Sequence, residues 1–251
     1  MPVESDFLLV IPACEEQHRL PPFLNELIET LADAPFITTV QIVDNGSSVT
    51  ARTQLAEAIA AISGKGLIEL RPILAQFQRG KGHAIRNGWA SPSVAPWLGF
   101  VDADGAVSAR EVRRLLTLVH ESRGKERLDC VMAVRTPCEG HIVRRRWLRN
   151  EVSRAFAFGI KMLFRARFSD TQCGCKLISR SAWNQISSAC SENGFLFDLE
   201  LLLRLKQSEA AIRELEIDWT EKSGGHFHLV RDGLRTAMQV IRLRMILLLG
   251  R

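Results

Sequence analysis

Long hydrophobic runs are missing from this chain. No stretch of its 251 residues approaches the ~20 apolar residues that cross a bilayer, so any membrane contact is expected to be peripheral. No secretory leader is expected either, because residues 1–11 pass from Glu4 and Asp6 directly into an apolar run. The six cysteines (Cys14, Cys130, Cys138, Cys173, Cys175, Cys190) are scattered and read as reduced thiols of a cytoplasmic protein. Cys173 and Cys175 form a C-x-C without a second cluster or a histidine at ligand spacing. This argues against zinc and for small residues in a tight turn. No internal repeat, linker or low-complexity boundary divides the sequence, and no histidine stands out as a catalyst.

What is present is the composition of a folded protein, 46% hydrophobic and 24% charged, long enough to bury a substantial core. Net charge is +5, and the excess collects in the second half. Between His141 and Phe168 lie Arg144, Arg145, Arg146, Arg149, Arg154, Lys161, Arg165 and Arg167 against one acid, Glu151, interleaved with Trp147, Leu148, Phe156, Phe158, Met162 and Phe164. The C-terminus repeats the pattern with Arg231, Arg235, Arg242, Arg244 and Arg251 between Leu234, Met238, Ile241 and the run from Met245 to Leu249. Basic segments carrying large apolar residues at helical spacing suit an anionic membrane surface, and equally a solvated face on a core helix.

Hydrophobic periodicity predicts strands alternating with helices. Residues 6 to 11 read as a strand buried on both faces and ended by Pro12, and Leu24, Leu27, Ile28 and Leu31 form one stripe of a helix over 20–34. Strand 38–43, helix 51–62, strand 67–70, helix 81–90, strand 97–101, helix 109–121 and strand 129–134 follow, with long helices and one more strand near 212–219 after Arg135. This order implies an α/β fold, a mostly parallel sheet with helices on both faces and a helical C-terminal extension. Ligands of such sheets sit outside the carboxyl ends of the strands, and Pro12, Asp44 and Asp102 all fall at such ends.

The segment Leu-Gly-Phe-Val-Asp-Ala-Asp-Gly (98–105) stops an apolar run at two carboxylates one residue apart. Asp102 and Asp104 can share one side of an extended turn, and two hard oxygen ligands with positions left for water and phosphate suit Mg²⁺ or Mn²⁺. Such a metal would neutralise a diphosphate leaving group. Gly80, Lys81 and Gly82 read as a flexible cationic loop opening a helix, a cradle for a diphosphate, although the Walker spacing is absent. Glu15 and Asp44 at strand ends are open to a nucleoside, or to helix-end and Asx-turn roles.

In order, Val-Ile-Pro-Ala-Cys-Glu-Glu (10–16), Ile-Val-Asp-Asn-Gly-Ser (42–47), Gly-Lys-Gly-His-Ala-Ile-Arg-Asn-Gly (80–88) and Asp-Ala-Asp-Gly-Ala (102–106) resemble the GT-A (Rossmann-like) family 2 glycosyltransferases. Asp-Thr-Gln-Cys-Gly-Cys-Lys-Leu (170–177), Phe-Asp-Leu-Glu-Leu-Leu (197–202), Asp-Trp-Thr-Glu (218–221) and Ile-Arg-Leu-Arg (241–244) narrow the resemblance to the dolichyl-phosphate β-glucosyltransferase and polyprenyl-phosphate branch. It covers nearly the whole chain. It implies one GT-A domain, with a nucleotide-sugar-binding half (1–135) and an acceptor- and membrane-facing half (136–251). The implied reaction is inverting transfer of a hexose, glucose from UDP-glucose, onto a polyprenyl phosphate at the cytoplasmic face of a membrane. Carried over residue by residue, Pro12, Glu15 and Asp44 would hold the nucleoside, Lys81 the diphosphate, and Asp102 with Asp104 the metal. Arg135, Arg149 and Ser153 would contact the acceptor phosphate. Asp170, Gln172 and Lys176 would line the sugar pocket, with Asp198 and Glu200 near the acceptor.

Four positions depart from the pattern. Asn45 replaces a second acid, Cys14 an asparagine, Ala106 the third metal-side ligand of the mannosyl relatives, and Ser223 to His226 the usual Gly-Ser-Lys. Three other readings follow from the residues: the same fold with GDP-mannose or with a saccharide hydroxyl acceptor and Asp198 as general base, a degenerate nucleotide-sugar-binding protein, and nucleic-acid binding through 141–168. The D-x-D and the Gly-Lys-Gly loop argue against nucleic acid.

Overall fold

The computed structural model describes residues 5–62, 68–71, 73–76, 80–135, 143–144, 159–160, 162–164, 168–222 and 229–248. The first strand, β1 (Phe7–Ala13), is fully buried except at Pro12. It pairs in parallel with β2 (Thr38–Asn45) on one side and β5 (Trp97–Val101) on the other. β2 also carries the short strands β3 (Ile68–Leu70) and β4 (Leu74–Gln76), both parallel to it. Pro12 does not end β1, as the sequence suggested. It stays in register with Val43, and the strand runs on to Ala13. A proline removes one donor from a ladder but leaves its carbonyl and extended backbone.

The helices fall on both faces. α1 (Leu20–Leu31), which ends with its apolar stripe and three residues before the expected bound at 34, and α4 (Ala109–Ser122) bury their stripes in one cluster with Phe7, Leu9, Ile11 and Val101. α2 (Val49–Ala60) lays Leu55 and Ile59 into the same cluster. α3 (Lys81–Trp89) packs Ala84, Ile85 and Trp89 against Leu8, Val10 and Phe100 on the other face.

The largest departure from the sequence reading is β8 (Cys175–Ser179). It runs antiparallel between β5 and β6 (Cys130–Val134), in the middle of the sheet, and β9 (Ile212–Glu216) closes that side parallel to β6. All five residues of β8 are buried. Cys-Lys-Leu-Ile-Ser does not alternate, and the lysine at its second position hides it from any pattern search. The second half of the chain therefore completes the sheet of the first. A two-stranded pairing of β7 (Val143–Arg144) with β10 (Trp219–Thr220) lies outside it, and Trp219 also bridges Val107. α5 (Arg180–Ile186) follows β8 directly, and α6 (Phe197–Gln207) sits beneath α3. The last helix, α7 (Leu229–Leu248), packs Val240 and Leu243 onto Leu196, Leu199, Leu203, Ile160 and Phe164. Among the described residues no helix is long and apolar enough to cross a membrane.

Candidate active site

In the order β3-β2-β1-β5 the succession of these parallel strands reverses at β1, the switch point beside which such sheets open a crevice. Asp44 at the end of β2, Cys14 just past β1 and Asp102 just past β5 meet there. At its centre the Nζ of Lys81, the first residue of α3, lies 2.8 Å from Oδ1 of Asp102 and 3.0 Å from Oδ2 of Asp198. The other oxygen of Asp198 accepts a 2.6 Å hydrogen bond from Nζ of Lys176, which also donates to the carbonyl of Cys173 at 2.8 Å. Both ammonium groups lie over the ring of Phe100, at 5.0 and 5.4 Å from its centroid.

Burial pulls against each of these charges, and the partners decide the outcome. Desolvation opposes the charge of Lys81, but Asp102 and Asp198 outweigh it and hold its pKa well above the usual lysine value. Burial likewise opposes ionisation of Asp198, yet Lys176 and Lys81 keep its pKa below the ordinary carboxylate value. Asp102 moves the other way: desolvation, with help from the charges of Asp198 and Asp104, outweighs Lys81 and raises its pKa.

This geometry changes the roles expected of two residues. Asp198 and Lys176 are each only 1% exposed. They lie behind Lys81 rather than in the crevice lining, where the sequence reading put Lys176 as a substrate contact and Asp198 as a catalytic group. A carboxylate held between two ammonium groups is also a poor general base, because both favour its unprotonated form.

The Gly-Lys-Gly segment is likewise not a free backbone cradle. The N–H of Gly82 donates to the carbonyl of Gly194, that of His83 to Asn193, and that of Gly80 to Oδ1 of Asn45. These three amides at the start of α3 are thus satisfied within the protein, and the Lys81 side chain reaches Asp102 at the crevice. The glycines serve close packing. A Cβ on Gly80, whose φ is +104°, would stand 2.3 Å from the Asn193 carbonyl oxygen, and one on Gly82 would stand 2.4 Å from Cβ of Phe197. Glu200 holds that neighbouring loop by accepting from the N–H groups of Ser191 and Glu192, the latter at 2.7 Å.

On the nucleoside side, Asp44 is fully buried and its carboxylate is taken by Nε of Arg52 at 2.8 Å and by the hydroxyl of Ser47. Glu15, at a positive φ of 56°, donates its N–H to Oγ of Ser47, and its carboxylate accepts from the N–H and hydroxyl of Ser48, the N-cap of α2. Both acids therefore brace the β2–α2 turn in this arrangement, and Ser47, Ser48 and Arg52 are partners that the motif reading missed. The Arg52 signal was one helical turn past Ser48, on the face that turns back to Asp44.

Arg135 forms a two-pronged pair with Asp170, Nε to Oδ2 at 2.6 Å and a terminal nitrogen to Oδ1 at 2.9 Å, and its guanidinium stacks 5.1 Å from the Trp219 ring. Burial opposes the Asp170 charge, but the guanidinium outweighs it and holds the carboxyl down at about 2. Beside it, the side-chain nitrogen of Gln172 is buried with no hydrogen-bond partner among the described residues. A lone buried donor fits an oxygen-rich ligand. Arg149, Ser153, most of the basic run 141–168 and the loop 223–226 lie outside the described residues.

Asp102 and Asp104 fit a hard divalent cation. Asp104 spends one oxygen, Oδ1, on the N–H of Ala106 at 3.0 Å, and Asp102 is anchored by its own N–H to the carbonyl of Gly174 at 2.8 Å. Gly174 gives the second Asp102 oxygen its space, since a Cβ there would stand 2.0 Å from Oδ2. No third carboxylate, histidine or cysteine joins them among the described residues, so other ligands would come from water and phosphate. Glu16, which sequence reasoning passed over, feels the negative charge of both aspartates, although desolvation is the main reason its pKa is raised.

A family model described as glycosyl transferase family 2 matches residues 8–187. The dolichyl-phosphate beta-glucosyltransferase of Saccharomyces cerevisiae is 30% identical over 98% of this chain and 77% of its own length. The enzyme of the same name from Dictyostelium discoideum is 28% identical over 99% and 77%. Among solved structures, glucosyl-3-phosphoglycerate synthase from Mycobacterium tuberculosis in complex with Mn²⁺, UDP and glucosyl-3-phosphoglycerate superposes with a TM-score of 0.66. The match is 16% identical and covers 95% of this chain and 78% of that one.

Proposed function

The chain belongs to glycosyl transferase family 2, and from that premise we propose that it transfers glucose from UDP-glucose to a polyprenyl phosphate at a membrane surface. The near full-length likeness to dolichyl-phosphate beta-glucosyltransferases supports the sugar and the acceptor class. The single observation that carries the reading is Lys81 beside Asp102 at the sheet's switch point, a cation and a metal-type carboxylate 2.8 Å apart where a nucleoside diphosphate would lie. The Mn²⁺ and UDP bound by the mycobacterial synthase support the same use of the crevice.

In this reading Asp102 and Asp104 hold Mg²⁺ or Mn²⁺, which would supply charge stabilisation to the departing UDP. Lys81 contributes a second positive charge on the diphosphate, and Gln172 gives its unpaired donor to the sugar or its phosphate. The acceptor needs no strong base, because a phosphate monoester with a second pKa near ~6 is already largely anionic at neutral pH. The burial of Asp198 between two lysines weighs against a saccharide hydroxyl as acceptor. Arg149 and Ser153, four residues apart, are assigned to the acceptor phosphate by the family resemblance alone, while Arg135 shapes that side through its pair with Asp170.

The peripheral membrane contact is supported by α7. Taken at about 100° per residue, Val240, Leu243 and Leu247 form the stripe that packs inward, and Met238, Ile241 and Met245 form a second stripe on the opposite side. Those three are 64%, 55% and 52% exposed, and Arg242 and Arg244 flank them on either side. An apolar stripe between arginines matches the boundary of an anionic bilayer. Transfer from labelled UDP-glucose, measured with and without polyprenyl phosphate and against GDP-mannose and saccharide acceptors, tests the proposal. Glucose appearing in lipid only with the polyprenyl phosphate supports it, and transfer to a saccharide hydroxyl refutes it.

A further inference from the structure

We propose that Lys176 is a positioning residue that acts through Asp198 on Lys81, so that Asp198 does not neutralise Lys81 and its charge is left to the crevice, where Asp102 meets it and the donor's diphosphate would; this rests on the nucleotide-sugar reading above. Three charges form a buried row from β8 through α6 to α3: Lys176, Asp198 and Lys81. One carboxylate cannot neutralise two ammonium groups, so these three carry an excess of one positive charge, which Asp102 meets at the crevice end. Lys176 is enclosed, its nitrogen held by Asp198 and by the carbonyl of Cys173. The outward end is Lys81, and its remaining partner is Asp102 at the crevice.

Without Lys176, Asp198 and Lys81 would form a closed neutral pair, and a cation already paired within the protein attracts an incoming anion weakly. With Lys176 present, half of the Asp198 charge is committed inward, and its geometry is fixed from behind by a residue with no freedom to move. Lys81 can then exchange Asp102 for a diphosphate oxygen without leaving Asp198, since an ammonium has three donors. The Phe100 ring under both nitrogens replaces part of the hydration each loses. A structural salt bridge inside the sheet would need only one lysine and one acid. The second lysine is explained by the charge it leaves over.

Calorimetric titration of UDP and of uridine, in one Mn²⁺ buffer, separates this role from a merely structural one. Lys176→Met is expected to weaken UDP by about tenfold, the scale of one charge-assisted contact, while uridine, which has no diphosphate, stays within about twofold. Lys176→Arg should restore UDP binding. So should the double variant Lys176→Met with Asp198→Asn, which removes one charge of each sign and leaves the same excess on Lys81, with an amide oxygen still accepting its hydrogen bond. If Lys176→Met fails to fold, these two charge-conserving variants carry the test, and both must bind UDP within about threefold of wild type. A folded Lys176→Met that binds UDP like wild type, an equal loss for uridine, or a double variant that fails to bind UDP would each overturn the proposal. Wild-type protein that ignores UDP would instead remove the nucleotide-sugar reading itself.

Discussion

The N–H of Asp102 donates to the carbonyl of Gly174 at 2.8 Å, and the absent side chain of Gly174 is what makes room for the Asp102 carboxylate. The two residues come from different strands of one sheet, β5 and the approach to β8, so the antiparallel insertion of β8 sets where the first aspartate of the D-x-D can point.

Gly174→Ala tests that dependence. Its Cβ would fall 2.0 Å from Oδ2, and the softest response is rotation of the Asp102 side chain rather than displacement of the sheet. Turnover should drop by about tenfold to a hundredfold, the usual result of displacing a reacting group by about 1 Å. The melting temperature should change little. Steady-state kinetics beside a thermal melt checks this, and unchanged turnover would show that the aspartate's aim is not critical.

Asp104→Asn keeps the shape of the turn, including its acceptor for the Ala106 N–H, but removes a metal-ligand charge. It should lower glucosyl transfer by several orders of magnitude with the fold intact, and EDTA should do the same to the wild type. Retention of more than about a tenth of the activity, a loss under ~1.4 kcal/mol, would contradict a metal at this position.

The α/β alternation was legible because β1 and β5 are apolar on both faces and α1 and α4 carry clean apolar stripes. β5 and β6 were placed to within a residue. β8 was not legible. The resemblance put Lys176 in the sugar pocket, and only the three-dimensional pairing with Asp198 explains a lysine in a central strand. The D-x-D stands out because two acids interrupt an apolar run, whereas Arg52 and Glu16 look like ordinary helix and loop charges. Their meaning lies in contacts with Asp44 and in the field of Asp102 and Asp104. The Gly-Lys-Gly loop shows the opposite failure: its sequence suggested a diphosphate cradle, but the N–H of Gly80 is taken by Asn45 and those of Gly82 and His83 by carbonyls of a loop more than 100 residues later.

Asp170 and Arg135 should make stability depend on acid. The folded carboxyl is depressed to about 2 from an ordinary 3.8, so its contribution is complete above the unfolded value and is lost as pH falls from roughly 4 toward 2. Its size is about 2 kcal/mol by linkage. Asp170→Asn should therefore be strongly destabilised near neutrality, with Arg135 left unpaired, and the gap to wild type should narrow toward pH 2. Urea unfolding of both proteins across that range measures it; a gap that stays constant would mean that the pair contributes little through ionisation.

The outer stripe of α7 leads to a prediction about lipid. Met238, Ile241 and Met245 face outward while Val240 and Leu243 hold the helix down, so replacing the outer three with serine removes apolar area without opening the core. Wild-type protein should sediment with vesicles containing anionic lipid at low salt and release at high salt, because the flanking arginines act over roughly a Debye length of ~10 Å at 0.1 M. The triple serine variant should lose most of this binding. It should still use a short, water-soluble prenyl phosphate as well as wild type does, since none of the three residues lies among the charges around Asp102 and Lys81. Loss of activity on the soluble acceptor would place the stripe in the reaction rather than at the membrane. Failure of wild-type protein to bind anionic vesicles at low salt would remove the membrane assignment altogether.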